Sequence, residues 1–191
     1  KARNVHIVAC GTSYHAGLIA KYWIESICQI PCRVEIASEY RYRNPVVMEN
    51  TLFIAISQSG ETADTLAALR AAKEAKYIST LVICNVPEST MVREADLVML
   101  TKAGPEIGVA STKAFTTQLT ALSLLTIVIA RRSGLDQDSE KEMVNQLLEL
   151  PTLIDQILAL DEDIKELAKN FSNKHHALFL GRGIQNPVAM E

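Results

Sequence analysis

Thr51-Leu52-Phe53-Ile54-Ala55-Ile56-Ser57-Gln58-Ser59-Gly60-Glu61-Thr62 passes from an apolar run into a turn of hydroxyls, an amide and a glycine. Apolar residues at both alternations predict a strand covered on both faces, as in a parallel sheet. From Thr62 to Ala75 the pattern turns helical, with Leu66 and Leu69 on the buried face. The same order recurs on either side. Val5-His6-Ile7-Val8-Ala9-Cys10 reads as a strand stopped by Gly11, and from Tyr14 the residues Leu18, Ile19, Tyr22, Trp23 and Ile27 recur at helical spacing up to Pro31. Val34 to Ala37, Thr80 to Cys84 and Leu97 to Leu100 read as further strands. Strand alternating with helix predicts an α/β fold. Right-handed crossovers make it a doubly wound, mainly five-stranded parallel sheet, a flavodoxin-like three-layer sandwich.

Beyond Ser111 the pattern is helical, from Thr112 to Arg131 with Gly134 as the stop. Two helices are expected at Ser139–Leu150 and Pro151–Leu160, the second with proline in its first turn, then a charged helix from Asp161 to Asn170. Ala177-Leu178-Phe179-Leu180-Gly181 reads as a strand again. It shares with the first strand an apolar run, a Gly-x-small turn and an entry into a helix. That likeness predicts a sheet domain over residues 1–135, a helical connector over 136–171, and the opening of a second copy over 172–191. A sixth strand of one sheet is the alternative.

Composition removes several classes. The chain has 191 residues, 48% of them apolar and 21% charged, as expected of a globular protein able to bury a core. Its net charge of −3 lacks the basic excess of a nucleic-acid binder. The longest apolar stretch, Ala121 to Ala130, is too short to span a bilayer and reads as a buried helix. Cys10, Cys28, Cys32 and Cys84 offer one spaced pair without a mate, so no metal is expected and the thiols read as reduced and cytosolic. The N-terminus lacks the apolar core of a signal peptide, and both ends read as cuts in a longer chain.

Ligands of open α/β sheets bind beyond the carboxyl ends of the strands. Three loops there are rich in hydroxyls: Gly11-Thr12-Ser13, Ser57 to Thr62, and Gly108-Val109-Ala110-Ser111-Thr112-Lys113. The second joins a buried strand to a helix N-terminus, where free N–H groups and the helix dipole attract an anion. Ser57, Ser59 and Thr62 add hydroxyls, Gln58 an amide, and Gly60 close backbone approach. Ordinary capping is the competing account of one such hydroxyl. The loop has neither the nucleoside-triphosphate P-loop pattern nor a cation of its own. Such donors suit one phosphate monoester on a small polar molecule.

These segments carry a resemblance. Cys10-Gly11-Thr12-Ser13, Ser57-Gln58-Ser59-Gly60-Glu61-Thr62-Ala63-Asp64-Thr65 and Glu106-Ile107-Gly108-Val109-Ala110-Ser111-Thr112-Lys113 resemble the sugar isomerase (SIS) family. Ala37-Ser38-Glu39-Tyr40-Arg41-Tyr42-Arg43 and Gly181-Arg182-Gly183 extend the likeness, over the whole chain, to the branch that makes amino sugars. The resemblance implies two tandem SIS domains. It implies that Ser13, Ser57, Gln58, Ser59 and Thr62 hold the sugar phosphate, while Thr12, Val109 and Ser111 contact the sugar. The reaction implied converts fructose 6-phosphate and glutamine to glucosamine 6-phosphate and glutamate, without a cofactor. A separate glutaminase domain supplies the ammonia, and the molecule is a cytoplasmic homodimer. The family's catalytic glutamate, ring-opening histidine and Schiff-base lysine fall beyond Glu191. The chain alone is therefore expected to bind hexose phosphate without turning it over, and Glu61, His175, His176 and Glu191 receive no catalytic role. A sugar-phosphate sensor module of a transcription regulator is the alternative. A dinucleotide oxidoreductase fails for want of its glycine fingerprint after the first strand.

Overall fold

The computed structural model describes residues 2–108 and 111–191. Five strands form one parallel sheet: β1 (Asn4–Ala9), β2 (Cys32–Ile36), β3 (Thr51–Ser57), β4 (Ser79–Cys84) and β5 (Leu97–Leu100). Their order is β2-β1-β3-β4-β5. Chain order therefore reverses between β1 and β3. The register pairs Val8 with Ala55, so the two strands leave the sheet at nearly the same level.

Period-two alternation sorts the core into two layers. Val5, Ile7, Ala9, Leu52, Ile54 and Ile56 face α1 (Gly11–Trp23) and α5 (Lys113–Ser133), meeting Ala16, Ala20, Ala121, Leu122 and Ala130. Val8, Phe53, Ala55 and Val82 face α2 (Ala37–Tyr40), α3 (Ala63–Glu74) and α4 (Thr90–Glu94), meeting Tyr40, Ala68, Leu69 and Met91. Gly17 lets α1 lie close to the sheet, because a Cβ there would come within 2.9 Å of Ile7 Cγ2. α5 is long and apolar enough to cross a membrane by length and composition. Its Ala114, Gln118, Ala121, Leu122, Thr126, Ile127 and Ala130 are buried within the sandwich.

Several expectations need correction. α1 begins at Gly11, not at Tyr14, so Thr12 and Ser13 occupy its first turn. It ends in a π turn, Ile24–Cys28, with Gln29 left-handed. β2 begins at Cys32 and stops before Ala37, which starts α2. The two helices expected on either side of Pro151 are one, α6 (Gln137–Leu158), whose N-cap Asp136 accepts from Ser139 N. The charged helix shortens to α7 (Asp161–Ala168) and a 3-10 turn, Lys169–Phe171. No described strand pairs with Ala177–Gly181, and Leu178, Phe179 and Leu180 are exposed. A strand needs a neighbouring ladder to bond its backbone groups, so the strand expected at Ala177–Gly181 is not formed, neither as a sixth strand of this sheet nor as the first of another. The chain closes with α8 (Gln185–Met190).

Candidate functional site

The reversal between β1 and β3 brings two of the three hydroxyl-rich segments together. Cys10 immediately precedes the first, and its Sγ lies 4.0 Å from Thr65 Oγ1 in the first turn of α3. The turn after β3 is preformed by its own side chains. Ser57 Oγ accepts from Gly60 N at 3.0 Å and lies 3.1 Å from Thr62 Oγ1. Ser59 Oγ accepts from Glu61 N at 3.2 Å. Gly60 is left-handed, with φ +69, and a Cβ would fall 2.1 Å from Ser89 Oγ and 2.8 Å from Cys84 Sγ. The wall behind it is the approach to α4, where Met91 N donates to Gly60 O at 3.2 Å and Asn85 N to Gln58 O at 3.3 Å.

Thr62 stands at the N-cap position of α3, but its side chain makes no capping bond there. The first intrahelical acceptor serves Leu66 N, from Thr62 O. The N–H groups of Ala63, Asp64 and Thr65 bond to no described acceptor. Nearby carboxylates are engaged elsewhere. Asp64 pairs with Arg41 at 2.7 Å. Glu61 Oε1 accepts from Thr90 N at 2.6 Å, which holds the carboxyl below its usual pKa range and makes it the anion of α4 rather than a base facing α3. α5 contrasts with this: Glu106 accepts from Thr112 N at 3.2 Å and Ala114 N at 2.8 Å. α3 thus presents first-turn donors, a left-handed glycine and the Gln58 amide without a competing protein anion.

Ser13 is buried in the first turn of α1 and Thr12 beside it is exposed. Ser111 lies two residues before α5, and Val109 falls outside the described residues. Sequence reasoning missed Ser89 and Cys84 behind Gly60, and the contact of Glu191 with Thr12 and His15. Only the tight Gly60 turn hinted at the former, and nothing local hinted at the latter. A cavity of about 430 Å³ between α5 and α6, lined by Trp23, Leu119, Ile127, Leu147 and Ile154, is apolar and lies away from these turns. Among the described residues no three His, Cys, Asp or Glu could hold a metal ion. Burial pushes the Cys28 and Cys32 thiols up to about 11 and about 12, which disfavours the thiolates a metal would need.

The strand order and this switch point define a doubly wound α/β module with an uncapped, hydroxyl-rich helix start at the carboxyl ends of its strands. The SIS domain model matches residues 1–128, and the chain belongs to that family. It is 61% identical to a glutamine–fructose-6-phosphate aminotransferase [isomerizing] of Pseudomonas putida, and 57% identical to that of Escherichia coli. All of this chain is matched in both, and it spans 31% of each of those proteins. Among solved structures, the C-terminal domain of glucosamine-fructose-6-phosphate aminotransferase from Francisella tularensis superposes with a TM-score of 0.96 at 52% identity. That match covers 98% of this chain and 53% of the other.

Proposed function

We propose that this chain is the first SIS domain of an isomerising glutamine–fructose-6-phosphate aminotransferase, and that it holds the phosphate of fructose 6-phosphate or glucosamine 6-phosphate at the N-terminus of α3. The uncapped first turn of α3, ringed by Ser57, Gln58, Ser59 and Thr62, carries the reading. Ser13 adds a donor from the neighbouring turn, while Thr12, Val109 and Ser111 serve the sugar. The names of relatives at 57–61% identity favour the enzyme over a transcriptional sensor. In the parent protein a glutaminase domain supplies ammonia. The unpaired segment 177–181, and a structural relative about twice as long, support residues 172–191 as the opening of a second SIS domain. Exposed apolar residues such as Leu148, Ile157, Leu158 and Phe171 offer surface for that domain and for a homodimer.

Calorimetry of the Ser59→Ala/Thr62→Ala variant with glucosamine 6-phosphate tests the site. Two hydroxyls to a dianion contribute about 1–3 kcal/mol, and affinity is expected to fall accordingly. Unchanged affinity would return this turn to an ordinary helix start.

A further inference from the structure

In the turn after β3, Ser57 and Ser59 already accept from the backbone N–H groups of Gly60 and Glu61 and so face a ligand mainly as donors, which suits a phosphate, whereas a sugar's hydroxyls also need acceptors. An acceptor is built next to it at α1. Glu191 Oε1 accepts from Thr12 Oγ1 at 2.7 Å, and its Oε2 lies 2.7 Å from His15 Nδ1. Thr12 and His15 are three residues apart and share one helix face. The Glu191 and His15 side chains are each 19% exposed. The carboxylate is held there by a structured segment. Gly183 is left-handed, Pro187 is buried, and Glu191 N donates to Pro187 O at 3.2 Å.

An ionised carboxylate only accepts hydrogen bonds. Both partners must therefore donate to it. Thr12 has one hydroxyl hydrogen, and Glu191 takes it, so the lone pairs of Thr12 Oγ1 are left to accept. The charge of Glu191 beside the first turn of α1 also disfavours a second anion at that helix and directs the phosphate to α3. We infer that Glu191 is a positioning residue that polarises Thr12 as a hydroxyl acceptor, so that the site selects a polyhydroxylated phosphate monoester over bare phosphate. This inference rests on the sugar-phosphate reading above.

The test is calorimetry of the whole chain and its Glu191→Ala and Glu191→Gln variants, with fructose 6-phosphate and with inorganic phosphate. Glutamine has the shape to keep α8 against α1, but it is neutral, so its carbonyl oxygen accepts from Thr12 without the charge that polarises the hydroxyl. Both variants are expected to bind fructose 6-phosphate about tenfold more weakly and inorganic phosphate as the parent chain does. In a Thr12→Val background, Glu191→Gln should then have no further effect, since the two residues act in series. Unchanged fructose 6-phosphate affinity in both variants would overturn the inference, as would full rescue of the alanine loss by glutamine, which would mean a purely structural tie. Equal loss of both ligands would overturn it as well. A parent chain that binds neither ligand would overturn the sugar-phosphate reading itself and this inference with it, whereas failure confined to the variants leaves that reading standing.

Discussion

Gly60 answers two demands at once. Its φ of +69 is open to glycine and strained for other residues, and the space where a Cβ would stand is filled by Ser89 and Cys84. Neither neighbour is the free end of a flexible chain. Gly60→Ala is expected to destabilise the protein by about 2–4 kcal/mol, combining left-handed strain with overpacking. Urea unfolding measures this, and an unchanged midpoint would mean that the α4 approach yields freely. Glu61 teaches a related point. An acid just ahead of a helix reads as a dipole partner of that helix, yet its bond to Thr90 N assigns it to α4. Adjacency in sequence does not decide which of two nearby helix ends a flexible carboxylate reaches.

α6 shows how an element can outrun its sequence signals. Proline at 151 invites a boundary, because it has no N–H for the carbonyl four residues earlier and its ring crowds that carbonyl. The helix nevertheless continues from Gln137 to Leu158. α6 has no buried residue, so water can take the freed carbonyl. The proline still has a cost. Pro151→Ala is expected to stabilise α6 by about 1–3 kcal/mol, since mid-helix proline is disfavoured by about 3 kcal/mol against alanine. Hydrogen exchange over residues 152–158 should slow in the variant. Exchange as fast as before would mean that α6 is already frayed on that side.

At the scale of the whole molecule, one buried ionisable cluster ties several elements together. His6 of β1 donates to or accepts from Tyr77 OH at Nδ1, 2.7 Å away, and Tyr77 in turn meets Tyr40 of α2 at 3.3 Å. His6 Nε2 lies 3.0 Å from Glu35 Oε1 of β2 but off the angle of a hydrogen bond, and Arg33 and Arg43 both pair with Glu35. Burial is the largest influence on His6, and the two arginines add to it against the attraction of Glu35, so its pKa is lowered to about 4. The unfolded chain, with an ordinary value of about 6.5, binds the proton that the folded chain refuses. Stability is therefore full above pH 6.5 and falls as pH drops towards 4, by on the order of 2–3 kcal/mol from this group. Urea unfolding between pH 7 and pH 4 checks the slope, and a His6→Gln variant should flatten it. A variant with the parent's slope would assign the effect to other groups.

Read alone, the amino-acid order determined the class of fold, the five strands and the turn most suited to an anion. Each depends on short-range pattern: alternation within a strand, helical spacing, and the glycine and hydroxyls at Ser57–Thr62. It also indicated where ligands gather, because strand–helix alternation with right-handed crossovers places the loops at one edge. Tertiary structure alone decided that β1 and β3 are neighbours, that Thr62 leaves α3 uncapped, and that Ser89 stands behind Gly60. It alone brought Glu191 to Thr12 across 179 residues of chain. The physical reason is range. Backbone preference and side-chain period act over a few residues, whereas a hydrogen bond between chain segments exists only once the packed layers have set where each helix begins.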